Sequence, residues 1–265
     1  MNLAYALEMA ALTDIGLERD HNEDALFVDA ERGLAILADG MGGYNAGEVA
    51  AEMLVSRLAE NLGEREIASD EAPPGRMDIV QELETRIALA HEEIYHLAHS
   101  DARYFGMGTT LVMGFFVHDF LITAHVGDSR CYRLRQGEFA PLTRDHSLLQ
   151  MQIDCGLITP EEARFSSIKN LVTRAVGVER MVEPEFNGYD VACDDIYLFS
   201  SDGLHDVLTD VEIAHILETQ AGDLRLAAAM LIAQSNAQGG QDNISVILVR
   251  VGNRSDDVKN HHLAA

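Results

Sequence analysis

The chain has 265 residues, 47% of them hydrophobic, with 44 acidic and 19 basic side chains and a formal net charge of −25. That length and apolar content suit one large domain, or two small ones, with a core that needs no staples, and the acidic balance argues against nucleic acid or an anionic membrane as the main partner. Cys131, Cys155 and Cys193 stand singly, no basic-then-apolar leader is apparent and no run of 18 apolar residues exists, so the sequence predicts no disulfide scaffold, no structural zinc site, no signal peptide and no membrane span, with a reducing cytoplasm as the compartment.

In chain order, the apolar run 3–12 reads as a strand ended by Thr13-Asp14-Ile15-Gly16. Arg19 follows, then Asn22-Glu23-Asp24 ahead of a second strand over 25–28. Arg19 is a fork-shaped donor suited to phosphate oxygens, or equally an ordinary surface arginine. Leu34-Ala35-Ile36-Leu37 reads as a buried strand, and Gly40, Gly42 and Gly43 are expected to end it in a tight turn. Asp39 would then sit at the rim of a sheet. A carboxylate beside an accessible Gly40 carbonyl suits a hard cation such as Mg²⁺ or Mn²⁺, although Asp-Gly also marks common turns. Ala46, Ala50, Met53, Leu54, Leu58 and Leu62 form a stripe that predicts a helix over 44–62. Residues 63–76, with Pro73-Pro74, read as a loop, and Ile79, Leu83, Ile87, Ala90, Ile94 and Leu97 predict a second helix over 78–100, antiparallel to the first. His91, His96 and His99 on that helix lack HExxH spacing and read as surface or hydrogen-bonded histidines.

After Gly106 the pattern turns to strands. The run 109–117 is apolar on both faces and so should be buried; 120–126, 130–135 and 139–142 follow through turns at His118-Asp119, Gly127-Asp128-Ser129 and Gln136-Gly137-Glu138. This predicts an antiparallel meander. Residues 143–177 interrupt it as an inserted flap near the site, with a short helix opened by Thr159-Pro160-Glu161-Glu162. A strand over 195–200 ends in Ser201-Asp202-Gly203. A capping box at Thr209 and Glu212 opens a helix to about 219, a further helix covers 223–238, and Gly239-Gly240-Gln241-Asp242-Asn243 leads into a last strand over 244–251. The expected organisation is one domain, 1–252, with a polar tail over 253–265.

Asp39, Asp128, Asp202 and Asp242 each adjoin glycine or asparagine at a strand boundary. On stacked sheets four such carboxylates can meet at one rim, where they repel unless cations neutralise them. Oxygen-only ligation selects Mg²⁺ or Mn²⁺ over zinc.

The stretches Arg19-Asp-His-Asn22-Glu23-Asp24, Asp39-Gly-Met-Gly-Gly43, Gly108-Thr-Thr110, Val126-Gly-Asp128-Ser-Arg130, Leu142-Thr-Arg-Asp-His146-Ser147, Leu171-Val-Thr-Arg-Ala-Val-Gly177, Ser201-Asp202-Gly-Leu204 and Gly239-Gly-Gln-Asp242-Asn243 occur in that order. In order and spacing, from residue 13 to about 250, the chain resembles the metal-dependent protein phosphatases, the protein phosphatase 2C-like group, and within it the small bacterial Ser/Thr phosphatases. The resemblance implies a four-layer α-β-β-α sandwich, two antiparallel sheets flanked by helix pairs, which agrees with the element pattern. It implies that Asp39 bridges two Mn²⁺ or Mg²⁺ ions, with Glu23 and the Gly40 carbonyl on one of them and Asp24 holding its waters. Asp202 and Asp242 would bind the other ion. Asp128 with Asp202 would form a third, weaker site, Arg19 would hold the substrate phosphate, and Asn243 would support the Asp242 end.

The implied chemistry is hydrolysis of phosphoserine and phosphothreonine on proteins by a metal-bridging hydroxide. Enzymes accelerate phosphate-monoester hydrolysis up to ~10²¹-fold, about 28 kcal/mol, whereas one general base supplies only ~10²- to 10⁴-fold. Two departures stand out. Met41 occupies a position where animal and plant relatives often carry a histidine, so the expected proton source for the leaving group is water held at the Asp128 site. The segment Phe165-Ser-Ser-Ile-Lys-Asn170 lacks a His-Pro pair. The expected partners are phosphorylated proteins, a Ser/Thr kinase or its targets, met by a cytoplasmic monomer. The competing readings are an inactive phosphatase-like binding module, a structural metal-binding domain and a phosphatase of a partner-switching regulator; the complete carboxylate set and Arg19 weigh against the first two.

Overall fold

The computed structural model describes residues 3, 5–43, 46–60, 75–163, 166 and 171–253. Its strands are β1 (Ala6–Asp14), β2 (Asp24–Asp29), β3 (Leu34–Met41), β4 (Gly108–Thr109), β5 (Leu111–Val117), β6 (Phe120–Val126), β7 (Arg130–Arg135), β8 (Glu138–Pro141), β9 (Glu185–Asp190), β10 (Ile196–Ser200) and β11 (Ile244–Gly252). Its α-helices are α1 (Ala46–Ala59), α2 (Arg76–Ser100), α3 (Leu148–Asp154), α4 (Pro160–Ala163), α5 (Asp202–His205), α6 (Asp210–Thr219) and α7 (Leu224–Ala237). One sheet runs β1-β11-β10-β7-β8 and the other β2-β3-β5-β6-β9, with β4 paired to β3. The pairings within both sheets are antiparallel.

The alternation of side chains along a strand explains why the central strands read as continuous apolar runs. Leu34, Ile36 and Ala38 of β3 join α1 and α2 in one core, while Ala35 and Leu37 of the same strand face the other sheet. Strand β5 divides likewise, with Leu111, Met113 and Phe115 toward the helices and Val112 and Phe116 toward Tyr197, Phe199, Ile247 and Val249. A third core packs Ile213, Leu217, Leu224, Ala228 and Leu231 of α6 and α7 against Leu198, Val246 and Leu248. Three apolar layers between four structural layers give the expected α-β-β-α sandwich. Each fully buried Leu, Ile or Phe contributes about 1.5–3 kcal/mol relative to exposure. Among the described residues no helix is long and apolar enough to cross a membrane.

Several expectations are corrected. The glycines after Asp39 do not end β3, which continues to Met41 because β4 pairs Thr109 with Gly40 and Gly108 with Met41. The strands after Gly106 do not form one meander. β5 and β6 belong to one sheet and β7 and β8 to the other, so the chain changes sheets at Gly127-Asp128-Ser129. Strand β9 and helices α3 and α5 were not anticipated. Of the two readings of His91, surface or hydrogen-bonded, the second holds: it is buried, and its Nδ1 accepts the Gly177 N–H at 3.0 Å. The capping boxes at Thr159 and Thr209 form as read, with Glu162 and Glu212 returning to their cap backbones at 2.8 Å. The ends of the predicted 44–62 helix, the loop residues 63–74, the tail beyond 253 and all but Ser166 of Phe165 to Asn170 lie outside the described residues.

Candidate active site

Both sheets deliver carboxylates to one end of the sandwich. Asp24 opens β2 and pairs directly across from Asp39 on β3. Asp128 sits in the crossing between sheets, Asp202 begins α5 after β10, and Asp242 precedes β11. Glu23, Asp39, Gly40, Asp128, Asp202 and Asp242 line a cleft of about 200 Å³ together with Arg19, Met41 and Asn243. The structure therefore brings every sequence-predicted site residue except Asp24 onto one cleft wall. Asp24 stands behind it and accepts a hydrogen bond from Ser201 Oγ at 2.9 Å.

The backbone around these groups is held by residues far away in sequence. The Asp39 N–H donates to Thr110 Oγ1 at 3.0 Å, and its carbonyl accepts from Thr109 Oγ1 at 2.9 Å and from the Thr110 N–H at 2.8 Å. Thr110 Oγ1 in turn contacts Ser129 Oγ at 2.7 Å, beside Asp128. The Gly40 N–H donates to the Glu23 carbonyl at 3.1 Å. Only glycine fits at 40, because a Cβ there would lie 2.2 Å from the Gly47 carbonyl of α1. Asn243 ties down the loop that carries Arg19 and Glu23: its side-chain amide donates to the Ile15 and His21 carbonyls at 2.9 and 3.0 Å and accepts the Glu23 N–H at 2.8 Å. The Asp242 end is served by the Asn243 backbone N–H, 2.8 Å from Asp242 Oδ1. Thr109, Thr110, Ser129 and Ser201 all stand inside the motifs of the sequence, but nothing local to them signals a supporting role.

Electrostatically the cleft is under-compensated. Burial first, then repulsion from Asp24, Asp202, Asp128 and Asp242, pushes Asp39 well above the ordinary carboxylate range. Burial and the charges of Asp128, Asp206, Asp242 and Asp24 do the same to Asp202. Burial raises Asp24 to about 6 against hydrogen bonds from Ser245 and Ser201, and raises Asp128 to about 7 with Asp145 adding to it. Glu23 Oε1, Asp24 Oδ1 and Asp202 Oδ1 are buried without a hydrogen-bond partner among the described residues. His21 Nε2 lies 3.2 Å from Glu23 Oε1 but out of hydrogen-bonding direction. Among the described residues the one cation on the cleft wall is Arg19, whose Nη2 contacts Asp242 Oδ2 at 2.6 Å while half of its side chain remains exposed. Buried anionic oxygens left unsatisfied are costly. A donor set made only of carboxylate and carbonyl oxygens fits hard divalent cations such as Mg²⁺ and Mn²⁺.

The comparisons with known proteins agree. The family model described as protein phosphatase 2C matches residues 18–218. The chain is 36% identical to protein phosphatase PhpP of Streptococcus pneumoniae over 252 residues, covering 92% of this chain and 97% of that protein. It is 36% identical to serine/threonine phosphatase stp of Listeria monocytogenes over 242 residues, covering 89% and 93%. Among solved structures, the catalytic domain of the phosphatase PstP in complex with two manganese ions superposes with a TM-score of 0.81 at 36% identity, covering 93% of this chain and 98% of that one. The Streptococcus agalactiae serine/threonine phosphatase gives 0.84 at 38% identity, covering 92% and 99%.

Proposed function

The chain belongs to the protein phosphatase 2C family, and from that premise we propose that its carboxylate cleft holds two Mn²⁺ or Mg²⁺ ions and hydrolyses phosphoserine and phosphothreonine on proteins. The observation that carries this reading is the meeting of Glu23, Asp39, Asp128, Asp202 and Asp242 with Arg19 around one cleft, several of their oxygens buried and unsatisfied. Asp39 would serve both ions, Glu23 and the Gly40 carbonyl would help hold one, and Asp202 and Asp242 would help hold the other. Asp24 would hold water beside Glu23. Asp128, with Asp202, would hold a third ion more weakly.

When bound, the ions supply Lewis acidity, making water nucleophilic at neutral pH and offsetting charge on the phosphoryl group. The protein's own part is placement. Arg19 presents its guanidinium fork to two phosphate oxygens, and in the free protein Asp242 keeps that fork oriented over the cleft. Asp39 is fixed through its own backbone by Thr109 and Thr110, so its carboxylate needs little reorganisation when charge develops. Met41 lines the cleft and offers no proton, and water near Asp128 would supply the proton of the leaving group. Phosphorylated proteins are the substrates, and the enzyme reverses a Ser/Thr kinase in the cytoplasm, acting as a monomer.

The test is hydrolysis of p-nitrophenyl phosphate and of a phosphothreonine peptide in EDTA, Mg²⁺ or Mn²⁺. Activity is expected only with a divalent ion. Asp39→Asn is expected to lose about a hundredfold to a thousandfold, the scale of removing one strong transition-state charge contact. A folded wild-type protein that is silent with every ion would sink the proposal.

A further inference from the structure

Beyond the carboxylate cleft, the described residues hold one group of side chains with metal-ligating chemistry: His125, His146 and Glu185, one ligand-type atom of each lying within 4.8 Å of the others. Their hydrogen bonds point to a different use. His125 Nε2 lies 2.8 Å from the Arg144 carbonyl, so the proton sits on that nitrogen. His146 Nδ1 accepts the Gly127 N–H at 3.3 Å, which places its ring proton on Nε2, 3.6 Å from Glu185 Oε2. The imidazoles stack with centroids 4.5 Å apart. Of the two imidazoles, only His125 has a buried nitrogen without a partner, Nδ1, and Arg174 Nη1, which can only donate, lies 3.3 Å from His146 Nε2 and competes there with Glu185 as the partner of that nitrogen. One free imidazole nitrogen beside a guanidinium makes a poor cation site.

What the group does hold is backbone. The His146 N–H donates to the Gly127 carbonyl at 2.8 Å while its ring accepts the Gly127 N–H, so a single residue takes both polar groups of the glycine that precedes Asp128. Gly127 has φ +102°, and a Cβ there would lie 2.8 Å from Thr110 Cγ2. The crossing between sheets therefore has one backbone conformation, and His146 pins it. His146 also marks the mouth of the flap. Its carbonyl accepts the Thr173 N–H at 2.7 Å, Ser147 bridges Val172, and the Leu148 N–H donates to the Leu171 carbonyl at 2.8 Å. The chain that leaves for the flap and the chain that returns from it are thus joined at the residue that holds Gly127.

We propose that His146 is a positioning residue, which sets the Asp128 carboxylate through Gly127 and links the base of the flap to the cleft. Its effect on turnover rests on the reading of Asp128 given above; its effect on Gly127 does not. The acceptor role requires a neutral ring. Burial, then His125 of β6 and Arg174 on the returning arm of the flap, lower the His146 imidazole to about 4 against the opposing pull of Glu185 of β9, so the ring stays neutral through the physiological range.

The experiment uses metal-free full-length protein for structure and Mg²⁺-loaded protein for rate. In the wild type, ¹⁵N spectra of the imidazole at pH 7 should show the Nε2–H tautomer at His146. His146→Phe keeps a ring but removes the acceptor; His146→Asn returns an acceptor oxygen near the position of Nδ1. Amide exchange at Gly127 should accelerate about tenfold or more in the Phe variant, as expected for a local opening made easier by about 1.4 kcal/mol. It should stay near wild type in the Asn variant. The kcat for p-nitrophenyl phosphate should follow the same order, with KM little changed. A proton on Nδ1 in the wild type, or equal Gly127 exchange in the two variants, would overturn the proposal. The tautomer needs no variant, so a misfolded Phe variant leaves that result decisive. Contrasting Gly127 exchange with identical turnover would uphold the hold on Gly127 and overturn the role given to Asp128.

Discussion

Asn243 shows how a side chain can matter to the cleft without offering a ligand. It closes three hydrogen bonds onto the loop from Ile15 to Glu23 and is buried. Asn243→Ala leaves the Glu23 N–H and two carbonyls without those partners, a loss of about 1–3 kcal/mol per group left buried. The expected outcome is a lower urea midpoint in EDTA and a higher Mn²⁺ concentration for half-maximal activity. Equal midpoints in EDTA would show that water replaces the amide and that the loop does not depend on it. The ligand candidates themselves were legible, because a carboxylate beside glycine at the end of an apolar run is a local pattern and it recurs. Thr109, Ser129 and Ser201 were not, because each acts through a bond to a residue distant along the chain, such as the 2.9 Å contact from Ser201 to Asp24. Their neighbours in sequence mark the motif but not the distant partner.

At the scale of elements, the limits of periodicity are visible in the two sheets. Strands buried on both faces carry the same continuous apolar pattern whichever sheet they join, so the run from β5 to β8 reads as one meander although it crosses between layers. Strand β9 escaped notice for the opposite reason. Glu185-Phe-Asn-Gly-Tyr-Asp190 is a polar edge strand paired only with β6, and it lacks the β-branched residues that usually mark strands. The helices α1, α2, α4, α6 and α7, by contrast, were legible from their stripes and caps, whereas the short α3 and α5 were not. The contact between the sheets gives a direct test. Gly114 on β5 faces Phe199 on β10, and an added Cβ would lie 2.4 Å from Phe199 Cζ and 3.0 Å from Cε1. Gly114→Ala therefore forces the ring or the strands apart, and overpacking of this kind typically costs about 1–3 kcal/mol. Chemical denaturation should show that loss with metal-dependent activity retained below the transition. A variant as stable as wild type would mean that Phe199 has room to turn.

The whole molecule carries the consequence of gathering these acids at one end of an already acidic protein. Without metal, Asp39 and Asp202 sit well above the ordinary carboxylate range, Asp128 at about 7 and Asp24 at about 6. Between the unfolded carboxylate value near 4 and these raised values the folded state binds more protons than the unfolded one. Linkage then makes metal-free stability fall as pH rises. The stabilisation is fully present below the unfolded value and is lost as pH climbs through the folded ones. Self-repulsion at a net charge of −25 acts in the same direction, so the slope alone does not isolate the cleft. The metal increment does. Divalent ions compete with protons for the same oxygens, so the stabilisation by a fixed Mn²⁺ concentration should grow from pH 5 to pH 8. At a hundred times the dissociation constant it should reach about 2.7 kcal/mol per independent site. Asp202→Asn removes one buried charge, so without metal at pH 8 it should be no less stable than wild type, while most of the Mn²⁺ increment disappears. Calorimetry on both proteins in EDTA and in Mn²⁺, across that pH range, measures the two effects separately. A metal-free Asp202→Asn protein markedly less stable than wild type would mean that the carboxylate is held by favourable contacts, and that the strain assigned to the cleft lies elsewhere.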